Sequence, residues 1–123
     1  MNIRTHNDLE VYKLAFEAAM RIYELSKSFP KEEKYSITDQ VRRSSRSVCS
    51  NLAEAFGKRK YPKSFVAKLS DSEGEAAETQ TWLDFSYKCE YISETDRSEL
   101  YEIYDRILGK LVIMSLQPEK WSY

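Results

Sequence analysis

The strongest constraint on this chain is its punctuation. Pro30, the pair Gly57 and Pro62, and the stretch Ser93–Asp96 divide 123 residues into four long segments. Each segment carries apolar residues at spacings of three and four, the period of a helix that turns one face to a core. With 3 Gly and 3 Pro in the whole chain, the turns of a many-stranded sheet lack material. The expected fold is all-α, an antiparallel up-and-down four-helix bundle. The length predicts a single domain over 1–123, with a short polar N-terminal segment at 1–7 and a short tail at 117–123.

The first helix is expected from about Asp8 to Lys27, with two apolar stripes. One is Leu9, Tyr12, Phe16, Ala19 and Tyr23; the other is Val11, Ala15, Ala18, Ile22 and Leu25. Phe29-Pro30 ends it, because proline disfavours helical backbone in the residue before it. The second helix starts after Ser36, whose hydroxyl is expected to cap the first turn, with Asp39 favouring the positive end of the dipole. Ile37, Val41, Ser44, Val48, Leu52 and Ala55 form its core stripe, and Gly57 is expected in a left-handed cap. Pro62 suits the first position of the third helix, which the pattern carries to about Ile92, with Gly74 marking the close approach of a neighbour. A Ser93–Asp96 capping box opens the fourth helix, striped by Leu100, Tyr104, Ile107, Leu111 and Met114; Gln117-Pro118 ends it before a tail with Trp121 and Tyr123. The double stripes on the first and fourth helices, with aromatic residues at 13%, exceed what one monomer core needs, so a homo-oligomer is expected.

Most catalytic chemistry is short of residues here. Glu75 and Glu78 are spaced i, i+3 and Glu54 lies on the second helix, which raises a di-metal site of the bundle type. That site needs a Glu-x-x-His pair, and the single His, His6, precedes the first helix as a solvated residue. The same shortage removes a Ser-His-acid triad, and no glycine-rich phosphate loop is present. No cofactor, no metal and no enzymatic activity are expected. Cys49 and Cys89 read as interior thiols, and two cysteines without a signal-peptide pattern predict a reducing, cytoplasmic setting. No apolar run approaches the ~18–20 residues of a membrane span. Glu75 and Glu78 continue the line of Trp82, Phe85, Cys89 and Ile92, and acids so placed are expected to pair with an arginine of the second helix.

Charge is segregated. Lys+Arg 19 against Asp+Glu 20 gives a net charge of -1, too balanced for a protein that coats nucleic acid with its whole surface. Residues 37–63, however, hold seven Lys/Arg against two acids, a net of +5, and residues 64–105 hold three against eleven, a net of -8. Arg42, Arg46, Lys58, Arg59, Lys60 and Lys63 are therefore candidate ligands for backbone phosphates, with Tyr61 placed to stack on a base. The competing reading pairs these cations with the acidic third helix of the same or a neighbouring chain. Gln40, Arg43, Ser47, Ser50 and Glu54 recur at three and four as a small polar stripe, with Arg43 and Glu54 expected in hydrogen-bonded pairs at a helix or subunit seam.

Asp39-Gln40-Val41-Arg42-Arg43-Ser44 and Ser47-Val48-Cys49-Ser50-Asn51-Leu52-Ala53-Glu54-Ala55 resemble the pattern of the four helix bundle proteins, also called 23S rRNA intervening-sequence proteins. Gly74-Glu75-Ala76-Ala77-Glu78-Thr79-Gln80-Thr81-Trp82-Leu83 is similar to that family's "GE-small-x-ETQ-x-WL" stretch, and Tyr91-Ile92 to its "GY-hydrophobic" end. Asp8-Leu9-Glu10-Val11-Tyr12 and Phe29-Pro30-Lys31-Glu32-Glu33 resemble its opening and its first connection; Ala55 stands where the family usually has Gly. The resemblance implies an up-and-down bundle assembled as a ring-like homopentamer, with RNA as the nucleic-acid partner suggested by the family name. It extends to accessory proteins of diversity-generating retroelements, basic pentamers that bind nucleic acid, whether RNA or DNA, and a reverse transcriptase. The alternative reading of the residues is a protein-interaction scaffold with no nucleic-acid role, whose acidic third helix and aromatic tail bind another protein.

Overall fold

A computed structural model describes residues 3–122; Met1, Asn2 and Tyr123, at the two predicted ends, lie outside the described residues. Four helices account for most of the chain: α1 Glu10–Ser26, α2 Ile37–Gly57, α3 Pro62–Lys88 and α4 Glu94–Leu116. Short 3-10 turns at His6–Asp8, Lys31–Glu33 and Pro118–Lys120 fill the ends and the first connection. Consecutive helices pack side by side, and α1 closes the ring against α4, which is the up-and-down bundle the periodicity predicts.

The core is built from one stripe per helix. In α2 all six predicted positions, from Ile37 to Ala55, are buried, and so are all five of α4, from Leu100 to Met114. In α1 the second stripe (Val11, Ala15, Ala18, Ile22) faces the core. The first stripe is divided: Leu9 and Ala19 are buried, Tyr12 and Tyr23 half-buried, and Phe16 50% exposed, with Met20 one turn on at 46%.

The most extensive helix pair is α2 with α3, and it is polar as well as small. Ser44, Ser45, Ser72 and Thr79 are buried there; Ser72 Oγ donates to the Val48 carbonyl at 2.8 Å and Thr79 Oγ1 to Ser44 Oγ at 2.8 Å. Hydroxyls that donate to a neighbouring helix satisfy their own polarity while letting the backbones come close, which an all-leucine seam does not allow. Across the other seams, Gln80 Nε2 donates to Asp105 Oδ1 at 2.8 Å and Arg97 pairs with Asp84 at 2.6 Å. Arg21 reaches Asp96 and Glu99 at 2.9 and 3.1 Å, and joins α1 to α4.

Several local expectations are corrected. Helix α3 stops at Lys88, four residues before Ile92, because Glu90 turns left-handed at φ 64°. The Tyr91 N–H then bonds the Ser86 carbonyl at 2.8 Å and the Glu90 N–H the Tyr87 carbonyl at 2.9 Å, the paired closure of a Schellman stop. Gly57 is the last helical residue of α2 and has no positive φ, so the helix ends through ordinary turn bonds from Lys58 and Arg59. Ser36 occupies the N-cap of α2 without its side chain capping, whereas Ser93 Oγ does accept the Asp96 N–H at 3.0 Å. Gly74 has no close neighbour: a Cβ built on it meets nothing within 4 Å. The line Trp82–Phe85–Cys89 runs along the surface edge of α3, leaving Phe85 and Cys89 exposed, because the face toward the core is Phe65, Leu69, Ser72, Ala76, Thr79 and Leu83. Cys49 is buried, and burial pushes its thiol up to about 11. His6 is half-buried, edge-on to Tyr12 at 4.8 Å between ring centres.

Candidate nucleic-acid interface

Three arginines in five residues of α2 meet three different fates. Arg43 points to α3, where Nη1 reaches Glu75 Oε2 at 3.0 Å and Nη2 pairs with Glu78; Nε donates to Gln40 Oε1 at 3.2 Å. The indole N–H of Trp82 donates to the same Glu78 oxygen at 3.0 Å. That bond first, and Arg43 with it, hold the Glu78 carboxyl below its ordinary range against the opposing effect of burial. Arg43, Glu75 and Glu78 are thus a closed network with both charges answered. Glu54 is not part of it. One end of α2 away, it pairs with Lys68 Nζ at 2.7 Å, with Asp71 on the far side of the same ammonium at 3.7 Å.

Arg42 and Arg46 lie one turn apart on the α1 side of α2, about 6 Å along the axis. Arg42 Nε donates to Ser26 Oγ at 2.7 Å, which restrains its guanidinium through a neutral hydroxyl. Its carbon Cζ sits 4.8 Å from the centre of the Tyr23 ring, and that of Arg46 5.8 Å from the same ring. The ring therefore positions two like charges without neutralising either, since a π-face attracts a cation through its quadrupole alone. Neither arginine is salt-bridged to a carboxylate among the described residues.

The concavity in front of them has a volume of about 580 Å³ and is walled also by Lys34, Tyr35, Thr38 and Asp39, and by Arg43, whose charge is already paired. It lies along the first turns of α2, whose positive dipole end and uncapped N–H groups favour an anion. Asp39 is the one carboxylate on its rim.

The remaining predicted cations are elsewhere. Lys58, Arg59 and Lys60 form the α2–α3 connection and Lys63 the first turn of α3, about 18 Å or more from Arg46 along α2 at 1.5 Å per residue. Arg59 packs its guanidinium 3.6 Å above the Phe56 ring and donates to the Phe56 carbonyl at 2.8 Å. Lys58, Lys60 and Lys63 are exposed, with Lys60 Nζ 6.0 Å from the Tyr61 ring. The six predicted ligands therefore make two patches. Sequence reasoning missed Lys34 and Tyr35, which precede the helix; the signal available was a cation beside an aromatic just before an N-cap serine.

A second exposed feature adjoins the arginines. Tyr12, Phe16, Ala19, Met20, Cys49 and Ala53 line a shallow apolar groove of about 300 Å³ between α1 and α2. An open acidic groove of about 520 Å³ follows α3 past Asp71, Gly74, Glu75 and Glu78. Among the described residues no three His, Cys, Asp or Glu side chains are gathered as a metal site, and no helix is long and apolar enough to cross a membrane.

With this geometry in place the comparisons become informative. The sequence profile of a family described as 23S rRNA-intervening sequence protein matches residues 7–112, and the chain belongs to that family. No curated protein matches it. A solved structure from Bacteroides thetaiotaomicron, described as a protein of unknown function from the S23 ribosomal protein family, is similar at 28% identity and a TM-score of 0.77. The match covers 85% of this chain and 94% of that one. Neither description names an enzymatic activity.

Proposed function

We propose that this member of the 23S rRNA-intervening sequence protein family is a non-catalytic, homo-oligomeric bundle that binds RNA through its phosphates, in the reducing cytoplasm where Cys49 and Cys89 stay thiols. The observation that carries the reading is the division among the arginines of α2. Arg43 is answered by two carboxylates, while Arg42 and Arg46 are held by a tyrosine ring and a hydroxyl that leave their charge available. Cations placed to pair with the acidic third helix would look like Arg43; Arg42 and Arg46 do not. Lys58, Lys60 and Lys63 extend the same potential to the end of the bundle, and Arg59 contributes there while braced on Phe56. Contacts of this kind are to the backbone and carry no base sequence.

The oligomer is supported by the half-exposed Phe16 and Met20 on α1 and by the exposed Ile113 and Leu116 on α4, large apolar side chains at helical spacing that the monomer core does not take in. A ring-like homopentamer is the assembly the resemblance implies, and the mass of the protein in solution tests it.

Binding of a labelled structured RNA is measured across a salt series. The parent is expected to bind with an affinity that falls steeply with salt, about 0.7–0.9 in the log–log slope for each phosphate engaged. Arg42→Ala with Arg46→Ala should lower both affinity and slope more than Lys58→Ala with Lys60→Ala. Absence of binding at low salt overturns the RNA reading. The apolar strip on α1 would then be the contact surface of a protein-interaction scaffold, with Trp121 of the tail already occupied at 6.5 Å from the Phe65 ring.

A further inference from the structure

The groove at the start of α2 holds three features besides the arginine pair. Tyr35 stands on its rim 83% exposed, its ring 5.4 Å from Lys34 Nζ, although a tyrosine between two helices ordinarily packs against one of them. Thr38, also lining the groove, is 9% exposed, and its Oγ1 has no hydrogen-bond partner among the described residues. A threonine in a first turn has the Lys34 carbonyl or a solvent molecule to bond, and a buried hydroxyl left without either costs on the order of 1–3 kcal/mol. Ser36, next to it, occupies the cap position and does not cap. The N-terminus of α2 is thus less satisfied than that of α4, where Ser93 caps, and it is the one flanked by cations.

We infer that this groove takes an unpaired nucleic-acid strand. One phosphate lies between the α2 N-terminus and the Arg42–Arg46 pair, and the adjoining base stacks on Tyr35. The inference rests on the phosphate-binding reading above and adds the strandedness of the ligand. The argument is geometric. A duplex turns its phosphates outward and buries its base faces in the stack, so it can answer the arginines but can offer nothing to an upright aromatic ring. A single strand offers both on consecutive atoms of one nucleotide, and every base has a π-face, so stacking is compatible with backbone contacts that read no sequence. Lys34 Nζ is 5.4 Å from the Tyr35 ring and Arg42 and Arg46 line the same groove, so the cations take the backbone and the ring takes the base. Asp39 on the rim disfavours a second phosphate at that point, so the strand leaves the groove along Arg46 toward Ser47 and Ser50. The first-turn N–H groups of α2, which Ser36 leaves without a side-chain cap, are the donors a phosphate oxygen entering the groove would meet.

The test uses the full chain and three fluorescent probes of equal length: a uridine oligomer, a thymidine oligomer and a blunt RNA duplex. Anisotropy titrations compare the parent with Tyr35→Ala, Tyr35→Phe, Arg46→Ala and the pair Lys58→Ala, Lys60→Ala. Tyr35 is so exposed that its replacement leaves the fold alone, and an unchanged melting temperature verifies that. The expected result is a single-strand affinity that drops about tenfold or more in Tyr35→Ala and is restored in Tyr35→Phe, because a phenyl face stacks as a phenol does. Arg46→Ala weakens single strand and duplex together. The deoxy arm separates the two sources of an unpaired strand, and whichever oligomer depends on Tyr35 supports the assignment. Duplex binding as tight as single-strand binding, or a Tyr35→Ala variant indistinguishable from the parent on both oligomers, overturns it while leaving phosphate recognition intact. No binding of any probe removes both readings at once.

Discussion

Replacing Gly74 with alanine should make this protein more stable. Gly74 is helical, exposed and mid-way along α3, with no positive φ, and an added Cβ meets nothing within 4 Å. Nothing within the chain therefore needs a glycine there. Glycine in a helix interior is about 0.8–1.0 kcal/mol less favourable than alanine, through the backbone entropy it loses on folding. Gly109 in α4 is in the same position: helical, exposed and open around its Cβ. Since neither methyl touches a neighbour, the two gains should add, to about 1.6–2 kcal/mol in the double variant. For a chain of this size each kcal/mol corresponds to roughly 3–5 °C in melting temperature. Urea unfolding followed by circular dichroism, at two protein concentrations and with the solution mass recorded alongside, reads the result. The expected outcome is a higher midpoint for both single variants at unchanged slope. A Gly109→Ala gain with a Gly74→Ala loss, and a reduced solution mass for the latter, would refute the reasoning, because it would show another copy lying against Gly74.

Three further outcomes are expected. Tyr104→Phe should stabilise the bundle by about 1 kcal/mol in the same assay, because the fully buried Tyr104 hydroxyl has no partner among the described residues and removing it relieves a desolvation cost; a loss of stability would show that the hydroxyl is bonded in solution. Glu90→Gly should raise stability by about 0.5–1 kcal/mol, since Glu90 bears the left-handed φ of 64° that stops α3; an unchanged midpoint would place the residue in another conformation. The Glu78 carboxyl is held low by the Trp82 N–H and by Arg43, so its stabilising contribution is present above the ordinary carboxylate value of 4.5 and lost as pH falls through the lower folded value. Unfolding measured from pH 6 to 2 should show a shallower acid loss in Glu78→Gln than in the parent, and parallel profiles would contradict the assignment.

What the sequence revealed and what it hid divide along a physical line. The stripes of α2 and α4 were legible to the residue because one face of each is buried in this chain alone, and the period of 3.6 carries that information directly. The two stripes of α1 were legible as stripes, but periodicity is blind to what covers them, and the choice between Val11–Ile22 and Tyr12–Tyr23 is made by the other three helices. Helix α3 misled for a related reason. The middle of its core face, between Leu69 and Leu83, is Ser72, Ala76 and Thr79, small and half polar, while Trp82 and Phe85 beside it are large and sit at the edge. Hydrophobicity therefore pointed to the wrong face, and the deciding fact, hydroxyls bonded across to Val48 and Ser44, is a tertiary one. The stop at Lys88 was hidden because the residue that turns is a glutamate, and side chains other than glycine seldom announce a left-handed φ.

The charges show the same limit from the functional side. A net of +5 over residues 37–63 located the basic region, but one number could not divide it. What divides it is helical phase. Arg42 and Arg43 are adjacent in sequence and about 100° apart around α2, so one meets the hydroxyl and ring of α1 and the other the carboxylates of α3. Arg46, one turn beyond Arg42, shares its side and its tyrosine. A stripe of arginines all on the α3 side would be a structural seam, and a stripe all on the open side would repel itself apart. Pairing Arg43 with Glu75 and Glu78 anchors α2 to α3 on one side of the groove, while Arg42 and Arg46 line its α1 side. An Arg43→Met variant that stayed folded would be expected to weaken binding in the groove that Arg43 shares with Arg42 and Arg46.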